Sequence, residues 1–187
     1  MDALLAASNA INRVIGKIGE WAGWLFVVTV VVIVFDVISR KFGFQLPGLG
    51  STRLQELEWH LHTAIFSFWF GLAYIKNAHV RIDVAIANAS PRIHAWLEFL
   101  GCLVFALPYT LLALYFSVEF AWTSYVDKEI SDSATGLPFR FVPKSFIAIG
   151  LGLLLVAVFS VLLRIVVYLW GPNRLRKEAA FAGAKAK

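Results

Sequence analysis

Residues 21–39 read WAGWLFVVTVVVIVFDVIS, an apolar run interrupted by a single charge, Asp36. A helix needs roughly 20 residues to cross the hydrocarbon of a bilayer, and this run, extended back to Gly19, reaches that length. In hydrocarbon every backbone N–H and C=O must be satisfied within the segment, so such a run becomes a helix. Three further stretches have the same character, from about Glu58 to Ile75, Ala95 to Phe120 and Ser145 to Trp170. The expected fold is therefore an all-α membrane protein with four transmembrane helices, at about 19–39, 58–75, 95–120 and 145–170. An N-terminal segment, 1–18, precedes them, and a tail, 171–187, follows.

Composition agrees. Of the 187 residues, 59% are hydrophobic and 16% charged, with a mean hydropathy of +0.73. Soluble domains sit near 45–50% apolar and about 25% charged. The single cysteine, Cys102, lies inside an apolar run, so no internal disulfide is available. The net charge is +5, but the basic residues flank apolar runs. That is the membrane pattern and argues against a nucleic-acid partner.

The start lacks a basic n-region, carries Asp2 and has no small-residue cleavage site behind its apolar run, so the first span reads as retained. Before it, Leu4, Ile11, Ile15 and Ile18 share one helical face while Asn9, Asn12, Arg13 and Lys17 lie elsewhere. This suits a helix lying in the membrane interface, and a frayed terminus fits the same residues. Four spans place both termini on one side. That side holds ten basic residues: Arg13, Lys17, Lys76, Arg81, Arg92, Arg174, Arg176, Lys177, Lys185 and Lys187. The other holds six: Arg40, Lys41, Arg53, Lys128, Arg140 and Lys144. The positive-inside rule assigns both termini to the cytoplasm.

Ionisable residues in or beside the spans call for partners, water or a function. Asp36 and Arg40 can pair along one helix face at i,i+4 spacing. The stretch RLQELEWHLH, 53–62, then places Glu56 with His60 on one face and Glu58 with His62 on another. Two acids and two histidines raise a metal site, but the pairs point apart and lack a third ligand of matched depth. An interfacial polar cluster tying helix 1 to helix 2 is the plainer reading. With Arg40 ending one helix and Glu56 and Glu58 opening the next, an ion pair from Arg40 to one of these acids is expected, with Asp36 sharing it.

His79 and His94 raise a b-type haem, against which stands their position at loop margins. Glu98 and Arg164 can snorkel towards water, and Pro108 should kink helix 3. Trp21, Trp24, Trp59, Trp96, Trp122 and Trp170 mark span ends, whereas Trp69 sits deep. Polar groups of helix 2 (Thr63, Ser67, Tyr74) occupy more than one angular sector, as expected of a helix with two packing surfaces. No phosphate-gripping loop, nucleophile with a placed base or glycine–proline break in a span is present. The chain reads as a scaffold rather than an enzyme or a pump, with no catalytic, cofactor or metal residues.

The order Arg40, then Glu56 and Glu58, Gly71, the segment HVRID with His79 and Asp83, and the segment SATGLPFRFVPK with Pro138 and Pro143 resembles the small membrane subunit of TRAP transporters, the tripartite ATP-independent periplasmic systems. The likeness covers roughly 20–170, with Lys144 standing where many relatives carry glycine. It implies a bacterial or archaeal cytoplasmic-membrane complex in which a periplasmic binding protein captures an organic acid. A large membrane subunit then carries the acid by an elevator motion driven by a sodium gradient. It also implies that the small subunit braces the large one and helps dock the binding protein. Asp36, Arg40, Glu56, Glu58, His79 and Asp83 would serve subunit or helix contacts, and Asp127, Glu129, Asp132 and Arg140 the docking. QELEWHLH is similar to the branch of the family associated with 2-oxo acids, lactate or other monocarboxylates, and the family's cargo also includes dicarboxylates. The rival readings are a haem b anchor subunit of a quinone-linked oxidoreductase and a free-standing small channel.

Overall fold

From Asp2 the chain is helical without interruption to Phe42 (α1, 41 residues). The computed structural model describes residues 1–78 and 89–179. At 1.5 Å per residue α1 is about 60 Å long, roughly twice the hydrocarbon thickness of a bilayer. The stretch expected as a separate interfacial segment, 1–18, is thus the first part of the same helix that supplies the first span. Nothing in it stops a helix: there is no proline, and an interior glycine such as Gly16 or Gly19 costs only about 1 kcal/mol.

The remaining helices are α2 (Ser51–Ile75), α3 (Pro91–Val126), α4 (Phe141–Trp170) and the short α5 (Asn173–Glu178). Among the described residues there is no strand, only an isolated bridge between Leu46 and Leu49. Three helices, α1, α3 and α4, are long and apolar enough to cross a membrane. The 25 residues of α2 give about 37 Å, sufficient in length. Its opening turns carry Arg53, Glu56, Glu58, His60 and His62, which set it apart from the other three in composition.

Helix α3 starts on Pro91, with the Ser90 side chain capping the Ile93 N–H at 3.4 Å. Residues Cys102–Ala106 then form a π-helical turn, closed by Leu107 N–H on the Cys102 carbonyl. Pro108 explains its position. Proline has no N–H to donate and its ring crowds the carbonyl four residues back. The widened turn just ahead of it absorbs both faults without ending the helix.

By backbone proximity the chain divides into two compact units. The first comprises Met1–Lys17, Phe70–Ala113 and Gly152–Lys187. Its core is Ala95, Cys102, Val158, Leu162, Ile165 and Leu169, with Tyr74, Phe99 and Tyr168 packed against it. A smaller cluster joins Leu5 and Val167 to Leu175 and Ala179, so the described part of the tail packs back on the helices. Between α1 and α4 runs a polar seam. Ser160 Oγ lies 2.8 Å from Ser8 Oγ and donates to Asn12 at 2.7 Å. Arg164 donates to Ser8 (3.0 Å), to the Glu178 carbonyl (3.1 Å) and to Asn9. The arginine expected to snorkel is instead bonded within the protein.

The second unit comprises Ile18–Trp69 and Leu114–Leu151. Here Trp69, the deep tryptophan, donates its indole N–H to the Gly19 carbonyl at 2.9 Å. Small residues allow backbones to meet: a Cβ on Gly150 would lie 2.7 Å from the Ser67 carbonyl carbon. In the first unit Gly71 plays the same part, where a Cβ would lie 2.9 Å from the Leu153 carbonyl oxygen. Without a hydrophobic drive between helices in lipid, such close approach is a main source of association.

Candidate functional site

The charged residues singled out in the sequence gather in the second unit. Asp36, 1% exposed at its side chain, pairs with the half-exposed Arg40 at 2.7 Å and accepts from Ser51 Oγ at 3.0 Å. Ser51 is the first residue of α2, so this carboxylate ties the end of α1 to the beginning of α2.

The expected ion pair from Arg40 to Glu56 or Glu58 is corrected. The acid that Arg40 holds is Asp36. The physical reason is local: an i,i+4 neighbour on the same helix reaches the guanidinium without ordering any intervening chain. Glu58 Oε1 is buried with no hydrogen-bond partner.

Glu56 has another task. Only 8% exposed, it accepts from the Ser131 hydroxyl and from the Leu137 N–H at 2.5 Å, and Arg140 stands 3.6 Å away. Arg140 also donates to Ser131 Oγ at 3.4 Å. A residue near the start of α2 thereby fixes the connection between α3 and α4. Burial alone would raise the Glu56 pKa, but the Ser131 and Leu137 bonds and the charge of Arg140 outweigh it and hold the carboxyl below its ordinary range.

Glu129 is bonded by Lys144, whose ammonium also lies 3.9 Å from the centre of the Phe120 ring. The Lys144 hydrogen bond is the first cause that holds the Glu129 pKa low. Lys144, the departure from the resemblance, is therefore a paired residue.

Of the four residues expected at a docking surface, Glu129 and Arg140 are committed to internal bonds. Asp127 and Asp132 are exposed. His79 and Asp83 lie outside the described residues. His94 sits in the first turn of α3 with Nδ1 3.1 Å from the Ser90 carbonyl, and His62 stacks edge-on with Phe66 at 5.9 Å. Among the described residues no three or more His, Cys, Asp or Glu side chains come together as a metal site. Ser131, the Leu137 N–H and Phe120 were not anticipated. A backbone donor and a ring face carry no sequence signature, and Ser131 lies 75 residues from its partner.

The stretch of sequence that carries this frame matches a known family. Residues 29–167 match the model of the family described as tripartite ATP-independent periplasmic transporters, DctQ component. The chain belongs to that family, whose members are the small integral membrane component of a tripartite transporter, working with a large membrane component and a periplasmic binding component. No curated protein and no solved structure matches the chain. The haem-anchor reading gains no support from the family.

Proposed function

We propose that this chain braces the large permease subunit and helps dock the periplasmic binding protein during ion-gradient-driven uptake of an organic acid. The chain crosses the cytoplasmic membrane four times, α2 being the fourth crossing, with both termini inside. The charged frame of the second unit then faces the periplasm. The ten-to-six excess of basic residues supports this orientation. The cargo class is a dicarboxylate, a 2-oxo acid or another monocarboxylate, and sodium is the coupling ion.

The observation that carries the bracing role is how little of α3 the chain itself covers. Only 11% of its most apolar window is buried, against 39% in α4. Val104, Phe105, Leu112, Tyr115, Phe116 and Trp122 of α3 are each more than half exposed. An aromatic-rich helix with so little of itself packed inside the chain is suited to lie against a large membrane partner.

Co-expression with the large subunit, mild detergent extraction and sizing test this. The two chains are expected to migrate together, and uptake is expected to require both. A chain that runs alone while the large subunit transports at full rate would refute the accessory role.

A further inference from the structure

The connection between α3 and α4 closes on itself. The Arg140 N–H donates to the Glu129 carbonyl at 3.2 Å, and Ile130 and Phe139 are the next residues inside that bond, one on each arm of the connection. Both lie outside any helix, and they are 67% and 63% exposed. Phe139 has φ of +64°, a region that bulky residues occupy rarely and at a cost of about 1–3 kcal/mol. Glycine would fold more easily there. The Phe139 ring gains only an edge contact with Phe141, at 6.1 Å between centroids. Folding alone gives no reason for phenylalanine at this position.

Beneath the pair stands the frame: Glu56 with Ser131 and Leu137, Arg140 with Glu56, and Lys144 with Glu129. An apolar pair presented on so fixed a base loses little freedom when a partner covers it, which is what makes a binding hot spot. In the sequence on either side of Ile130, Asp127 and Asp132 are exposed and make no ion pair among the described residues. Arg140 and Lys144 are spent on internal acids. Lys128 is exposed as well and offsets one of these carboxylates, so the exposed unpaired groups of the connection keep a net negative charge, which disfavours an anionic lipid surface and favours a basic protein face.

We infer that Ile130 and Phe139 form the apolar centre of the contact with the substrate-binding protein, ringed by Asp127 and Asp132. The partner face offers a shallow apolar recess bordered by lysine or arginine. This rests on the periplasmic placement of the second unit proposed above.

The test uses the assembled complex of this chain with its large subunit, reconstituted in phosphatidylethanolamine–phosphatidylglycerol liposomes. Uptake is measured against the concentration of the system's own substrate-loaded binding protein. Two double variants are compared with the parent, Ile130→Ser with Phe139→Gly, and Asp127→Asn with Asp132→Asn. The glycine relieves the strained backbone, so a docking defect in that variant cannot be put down to a weakened loop. The apolar variant is expected to raise the half-saturating concentration about tenfold or more at unchanged maximal rate. The acidic variant should raise it about two- to threefold and flatten its salt dependence.

An apolar variant within twofold of the parent overturns the inference. If the acidic variant still shifts in that case, the periplasmic reading stands and the loop docks by charge alone. If neither shifts, and residue 132 is unreachable from the periplasm, the placement itself has failed. Loss of the large subunit from the apolar variant would assign the pair to the membrane or to that subunit, again against the inference.

Discussion

The two units join their helices by different chemistry. In the first, a seam of neutral polar groups and one arginine runs between α1 and α4: Ser8, Asn9, Asn12, Ser160 and Arg164. In the second, carboxylates do the joining, Asp36 between two helix ends and Glu56 beneath a connection more than 70 residues away. The seam is a helix-to-helix contact whose groups are hydrogen-bonded to one another, which offsets the cost of burying them. The carboxylate frame organises a loop, needs charge to do so, and suits a wetter end of the molecule. The family match divides them too. Every residue of the frame lies within 29–167, whereas Ser8, Asn9 and Asn12 precede it.

Breaking the two joints separately should show the contrast. Arg40→Ala leaves Asp36 buried with only Ser51 as a partner. Removing one member of a buried pair costs about 3–5 kcal/mol. The half-exposure of Arg40 places the expected loss near the lower end, about 3 kcal/mol, read as a fall in thermal unfolding temperature of the purified complex. The double variant Asp36→Ala with Arg40→Ala should regain part of it. A double variant no better than the single one would mean that the pair is not the joint.

Glu56→Ala removes the acceptor for Ser131 and Leu137 together, an expected loss of about 1–3 kcal/mol. Amide hydrogen exchange should accelerate across 129–140 and stay unchanged in α4 beyond Gly152. Exchange that rises equally in both units would show that the frame does not act locally. Arg164→Ala, in the seam, is expected to cost about 1–2 kcal/mol and to loosen residues 1–17 and 173–179 while leaving the 129–140 amides protected.

Acid should distinguish the units with the smallest effect. The Glu56 and Glu129 carboxyls are held below their ordinary value of 4.5, so both are charged in the folded protein. A group with a depressed folded pKa contributes stability that is complete above its unfolded pKa and lost as pH falls through the folded one. Stability of the 129–140 connection should be level from neutral pH to about 5 and decline below about 4.5. Glu56→Gln should blunt that decline, and the seam, whose side chains include no carboxylate, should show none of it.

Much of this was legible in the sequence, for reasons that also mark where legibility ends. The long helices stand where apolar runs of membrane-crossing length placed them. α2 stands apart because RLQELEWHLH gave its opening turns more charge than the others carry. The Asp36–Arg40 pair was readable because it is one helical turn long. Glu56 with Leu137 was not, since a backbone N–H 81 residues away looks like any other. Nor was the seam. Asn9 and Asn12 were legible only as lying off the apolar face, and only the course of α4 beside α1 shows what they and Ser8 meet. At 18, where a boundary between segments was expected, α1 continues unbroken, because an apolar periodicity can run on through a change of surroundings that leaves the helix intact.

The periplasmic placement of the second unit is the claim on which both the docking role and the contrast between the units depend. Thiol labelling in intact cells tests it directly, with Cys102→Ser as background and single cysteines introduced as Asp132→Cys and Lys177→Cys. Both positions are exposed. A membrane-impermeant maleimide is expected to label residue 132 in intact cells and residue 177 only after permeabilisation. Labelling of residue 177 from outside, with residue 132 protected until the membrane is opened, would contradict the placement.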